Sequence, residues 1–145
     1  MCVVRLADGN SWVWSPVALT EELAQAVEAI GPIRHIVSPN KIHHLFLGDW
    51  SDRWPDAKTY SPPGLASRKP ELRFNAELGD EPDSAWAADI DQTIFRGSVF
   101  MEEVVFFHRE SRTAIVCDLI QRHPESKMSG WKGALMRLDS LVGPD

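Results

Sequence analysis

The chain has 145 residues, 43% hydrophobic and 25% charged, with 15 basic against 21 acidic side chains and a net charge of −6. That length suits a single domain with a buried core, and the acidic balance with no basic run leaves nucleic acid without an electrostatic footprint. No stretch reaches the ~18–20 continuous apolar residues of a membrane helix. The segment Met1 to Asn10 lacks the apolar core of a signal peptide, so a cytoplasmic protein without membrane contact is expected.

In chain order, Val3 to Ala7 reads as a strand, Asp8-Gly9 as a hairpin turn and Ser11 to Ser15 as the returning strand. Thr20 is a suitable helix N-cap, and Glu21 and Glu22 complement the helix dipole. Leu23, Ala26, Val27 and Ile30 form one apolar helical face, which Gly31-Pro32 ends. Ile33 to Ser38 is a strand. It completes a strand–helix–strand unit whose crossover should be right-handed and whose strands should be parallel.

A short helix is expected over His44 to Trp50 and a strand over Ala57 to Tyr60, followed by the turn Ser61-Pro-Pro-Gly64. The polar stretch from Arg68 to Pro82 carries no clear period. It contains no Gly/Ser linker, so residues 1–145 are read as one domain. Ser98 to Phe107 reads as a long strand interrupted on its polar side by Glu102 and Glu103, and Thr113 to Leu119 as its return. Apolar stretches such as Ile115 to Cys117 suggest strands covered on both faces. Beyond Gln121, Trp131, Leu135, Met136 and Leu138 suggest one or two amphipathic turns.

The chemistry-bearing residues gather at strand ends. The run Ile36-Val-Ser-Pro-Asn-Lys-Ile-His-His44 closes a strand with a loop carrying two imidazoles, where α/β sheets usually hold ligands. Asp118 ends the second apolar run and supplies a carboxylate. His44 with Asp118 offers two metal ligands, and His43 or His108 could add a third. Neighbouring residues of an extended strand face opposite ways, so His43 and His44 are not expected to share one ion.

The competing bland roles are backbone hydrogen bonding for His44, pairing or backbone capping for Asp118, and a solvated hairpin tip for His108 to Arg112. Asp89-Ile-Asp91 matches the D-x-D of some cation-dependent enzymes, a weak signal when it stands alone. Phosphate-binding glycine loops, H-E-x-x-H and G-x-S-x-G are absent from the sequence. Cys2 and Cys117 are not spaced as a metal motif. They read as reduced thiols, with Cys117 inert in mid-strand.

Several motifs fall in a recognisable order: Trp14-Ser-Pro16, Gly31-Pro-Ile33, Ser38-Pro-Asn40 with His43-His44, Pro55-Asp-Ala57, Pro63-Gly64, Glu102 to Arg109, Ser111-Arg-Thr113 and Asp118-Leu119. Over residues 3 to 120 the chain resembles a family of bacterial domains of unknown function related to the metallo-β-lactamase fold. The resemblance implies an α/β fold, half of an αββα sandwich, with one mixed sheet and helices mainly on one face.

Where relatives of that fold carry H-x-H-x-D-H, this chain reads Pro39-Asn-Lys-Ile-His-His44, so a two-metal site is not expected. A sheet apolar on both faces needs cover, and a second copy of the chain is the expected source, making a homodimer. The expected function is a binding module without two-metal hydrolysis and without a cofactor, since most ligands of the fold are lost while its packing residues remain. The alternatives are a hydrolase holding one zinc, iron or manganese at His44 and Asp118, complete in one chain or across subunits, and an assembly role for an exposed cluster of Trp12, Trp14, Trp50 and Trp54. No small-molecule ligand can be named.

Overall fold

A computed structural model describes residues 1–97 and 102–120, together with 123–124, 130–131 and 142–143. Strands β1 (Cys2–Arg5) and β2 (Ser11–Trp14) form an antiparallel hairpin. Parallel pairing then adds β3 (Ile33–Val37), β4 (Lys58–Ser61) and β5 (Ala76–Glu77), giving a five-stranded sheet in the order β1-β2-β3-β4-β5. The crossovers contain α1 (Glu21–Glu28), α2 (Leu47–Arg53) and α3 (Leu65–Arg68). A second, antiparallel sheet holds β6 (Ile90–Phe95), β7 (Glu103–His108) and β8 (Thr113–Ile115). A short parallel pair joins β9 (His123–Pro124) to β10 (Val142–Gly143).

Strand alternation divides the core into two layers. On β2, Val13 turns to one face, where it packs with Val27 of α1, Leu47 and Trp50 of α2 and Leu65 of α3. Trp12 and Trp14 turn to the other face and meet Ile90, Ile94, Val104, Phe106 and Ile115 of the second sheet. Each fully buried aromatic or branched side chain contributes about 1.5–3 kcal/mol through removal of apolar surface from water. Thr20 caps α1 as its sequence suggests, its hydroxyl accepting from Leu23 N at 3.2 Å.

This layering corrects the expectation of a single sheet. The chain covers both faces of its main sheet itself, with helices on one side and the antiparallel sheet on the other. The packing argument for a second copy therefore falls away. The proposed tryptophan surface is also corrected: Trp12, Trp14 and Trp50 are buried, and Trp50 and Trp54 pack together with ring centres 4.9 Å apart.

Strand β6 escaped the sequence reading because polar residues interrupt it. Its alternation is nevertheless regular, with Ile90, Gln92 and Ile94 buried between more exposed neighbours. The Asp89-Ile-Asp91 motif is spent on this strand: Asp91 pairs with Arg109, and Asp89 accepts from Ala7 N at 3.3 Å. The short helix starts at Leu47 rather than His44, because residues before it are held in turns. The expected strand start at residues 98–101, and Leu135, Met136 and Leu138, lie outside the described residues.

A Cβ on Gly31 would stand 2.4 Å from the Gly9 carbonyl oxygen, so the α1–β3 turn closes against the β1–β2 hairpin only through glycine. Gly31→Ala should cost about 1–3 kcal/mol by overpacking, read as a lowered urea midpoint with an unchanged slope.

His35 is buried against Trp86, with ring centres 5.4 Å apart, and its Nδ1 lies 3.3 Å from the Tyr60 hydroxyl. Burial pushes the imidazole below its usual range, and burial, reinforced by Asp83, pushes Tyr60 up to about 12. With His35 depressed, the unfolded chain binds the proton more readily than the folded one. Stability from this site is then full above about pH 6.5 and falls as the pH drops below it. Denaturation at pH 7.5 and pH 5.5 should show that loss in the wild type, and a smaller one in His35→Gln.

Candidate metal centre

Strand β3 ends at Val37, and the chain enters a loop whose shape is fixed by its own side chains. The Ser38 hydroxyl donates to the carbonyls of Asn40 at 3.0 Å and His43 at 2.8 Å. Asn40 is fully buried, and its Oδ1 accepts from Ile42 N at 2.9 Å and His43 N at 3.1 Å. Asparagine suits this role because its short side chain can replace a backbone acceptor in a tight turn. Val104 N donates to Pro39 O at 2.8 Å, which ties the loop to β7.

The opposite wall comes from the end of β8. That strand stops at Ile115, so Cys117 and Asp118 lie beyond it in a bend, which corrects the expected strand to Leu119 and the mid-strand placement of Cys117. Glu103 on β7 holds this bend. Its Oε1 accepts from Cys117 N at 2.7 Å, and its Oε2 accepts from Asp118 N at 2.7 Å and from the Cys117 thiol at 3.0 Å. Only 2% of Glu103 is exposed, and a carboxylate this deep must be met by donors. Asn40 Nδ2 adds a further contact at 3.3 Å and donates to Asp118 Oδ2 at 2.9 Å, closing the loop onto the bend.

His43 reaches into this junction. Its Nε2 lies 3.1 Å from Asp118 Oδ2, and its Nδ1 lies 2.6 Å from Ser15 Oγ. A ring nitrogen of His43, the Cys117 sulfur and a carboxylate oxygen of Asp118 all fall within 4.8 Å of one another. All three residues are partly exposed. Burial, followed by the hydrogen bond and charge of Glu103, pushes the Cys117 thiol well above the ordinary cysteine range. The thiol therefore keeps its proton unless a cation arrives.

Of the four residues singled out from sequence, the fold brings His43 and Asp118 together. His44 turns away, its Nδ1 3.0 Å from the Lys41 carbonyl oxygen. His108 sits at the β7–β8 hairpin, its Nδ1 2.7 Å from Ser111 Oγ. Sequence reasoning missed Cys117, Glu103, Asn40 and Ser15. One signal was available: Glu103 follows an acidic neighbour at the head of the apolar run Val104 to Phe107, where one side of the strand must be buried.

Ser15, His43 and Asp118 also stand in the order nucleophile, base and acid. Acyl transfer needs N–H donors for the developing oxyanion, and nucleophile-elbow enzymes take one from the residue after the serine. Here that residue is Pro16, which has no N–H, and the Ser15 N–H is given to Val37 O at 2.8 Å. Neither of these two backbone positions therefore offers an N–H to an oxyanion. Beside His43 lies a cavity of about 280 Å3, whose walls include Met1, Ser15, Val17, Ile42 and Leu45.

Residues 1–131 match the family described as Domain of unknown function (DUF4336). The chain belongs to this family. No curated protein matches it. In this DUF4336 chain the matched residues include the whole junction, from Ser15 through His43 and Glu103 to Asp118.

Proposed function

We propose that this chain binds one divalent transition-metal ion, zinc being the best fit, through His43, Cys117 and Asp118, and uses it in hydrolysis. The observation that carries this reading is the convergence of three ligand atoms of different chemistry at one partly exposed point. Nitrogen, sulfur and carboxylate oxygen are the donors zinc takes, at about 2.0–2.3 Å, and three protein ligands with an open fourth position characterise catalytic rather than structural sites.

When bound, such an ion lowers the pKa of a coordinated water toward neutrality. The chain's own residues supply the rest. Asn40 and Glu103 hold the ligands in place from behind. The cavity beside His43 offers room for the apolar part of a substrate. The ligand pair differs from the one the sequence suggests: His43 replaces His44, and Cys117 joins.

Cobalt(II) titration tests the proposal. Ligation by Cys117 should give a thiolate-to-cobalt charge-transfer band in the near ultraviolet at one equivalent, with protons released as the thiol ionises. Cys117→Ser should lose that band. A wild-type protein that shows neither the band nor proton release would refute the proposal.

A further inference from the structure

Ser15 holds a backbone conformation that serine rarely adopts. Its φ is +50°, one of two positive values on non-glycine residues among the described residues. The left-handed region is disfavoured for any residue with a Cβ, and glycine would occupy it freely. The position is nevertheless tightly held: Ser15 is 5% exposed, its N–H is bonded to Val37 O and Pro16 follows. A strained side chain kept where glycine would fit points to work done by its hydroxyl. That hydroxyl touches His43 Nδ1 at 2.6 Å, on the far side of the ring from Asp118.

We infer that Ser15 is the positioning residue of the metal centre, a hydroxyl that holds the His43 ring with Nε2 toward Cys117 and Asp118 whether or not an ion is bound. The inference rests on the metal reading above. A hydroxyl suits both states because it can donate or accept. Without an ion, Nε2–H donates to Asp118 and the Ser15 O–H donates to Nδ1. With an ion on Nε2, the ring proton resides on Nδ1 and donates to Ser15 Oγ. The serine only rotates its O–H bond between the two states, so the ring stays in place. Outer contacts of this kind on a ligating histidine are typically worth 10–100-fold in metal affinity.

The test separates strain from positioning. Ser15→Gly removes the hydroxyl and relieves the backbone, so it should melt no lower than the wild type while its zinc affinity falls about 10–100-fold. Ser15→Ala keeps the strain and should melt below Ser15→Gly with the same loss of affinity. In the zinc-free proteins, nitrogen-edited NMR should show the His43 Nε2–H proton in the wild type and lose it in Ser15→Gly, where the ring can turn.

Wild-type zinc affinity and an unchanged Nε2–H signal in Ser15→Gly would overturn the inference. If the wild type takes up no zinc, the metal reading fails on its own, and the Nε2–H signal alone still decides whether Ser15 holds the ring.

Discussion

Replacing Glu103 with alanine is expected to remove about 3–5 kcal/mol of stability, the cost of leaving several buried donors without their acceptor at about 1–3 kcal/mol each. The backbone N–H groups of Cys117 and Asp118 would lose their acceptor, as would the Cys117 thiol, and Asn40 Nδ2 would lose one of its contacts. Glu103→Gln keeps the volume but turns an NH2 toward one of those donors, so it should cost less than alanine yet remain clearly destabilising. Urea denaturation followed by tryptophan fluorescence measures both, since Trp12 and Trp86 lie in the layer that β7 helps to build. A shift below about 1 kcal/mol for the alanine variant, the size expected of a surface substitution, would show that the carboxylate does not hold the bend.

The second large effect concerns ligand choice. His43→Ala and Asp118→Asn should each weaken zinc binding by about 100-fold or more, because a three-ligand site that loses one ligand gives up a large share of its binding free energy. His44→Ala and His108→Ala should change affinity by less than about threefold, since those rings bond to Lys41 and Ser111 outside the cluster. Competition titration against a chromophoric zinc chelator gives all four values. Equal losses at His43 and His44 would contradict the geometry, since only His43 faces Asp118.

The contrast between these two histidines shows how far the sequence could be read. Turn and cap signals located the β1–β2 hairpin, α1 and β3, through Asp8-Gly9 and Thr20, but the apolar face of α1 was partly misplaced: Ala24 and Val27 are buried, while Ala26 and Ile30 are exposed. The loop after β3 was visible as a place for chemistry, and Asp118 as the end of an apolar run. Which imidazole faces that carboxylate was not visible. It depends on the loop that Asn40 Oδ1 shapes by accepting from Ile42 N and His43 N, a contact that leaves no periodic trace.

The second sheet was half hidden for a similar reason. Strand β6 buries Gln92, which bonds to the Gly79 carbonyl and accepts from the Trp86 indole, so a polar residue occupies an inward position. Cys117 was placed in mid-strand because an apolar run was taken to extend through it. The run stops two residues earlier, where Glu103 draws the backbone N–H groups of Cys117 and Asp118 away from strand pairing. Long-range acceptors of this kind, 14 and 15 residues away in sequence, lie beyond any local pattern.

The most direct test is metal content, by mass spectrometry on protein prepared without chelator and without a metal-binding tag. The proposed centre predicts about one zinc per chain in the wild type, and loss of that zinc in Cys117→Ser, His43→Ala and Asp118→Asn variants that remain folded. A wild-type protein without bound metal that also takes none up from added zinc, cobalt or manganese would contradict it.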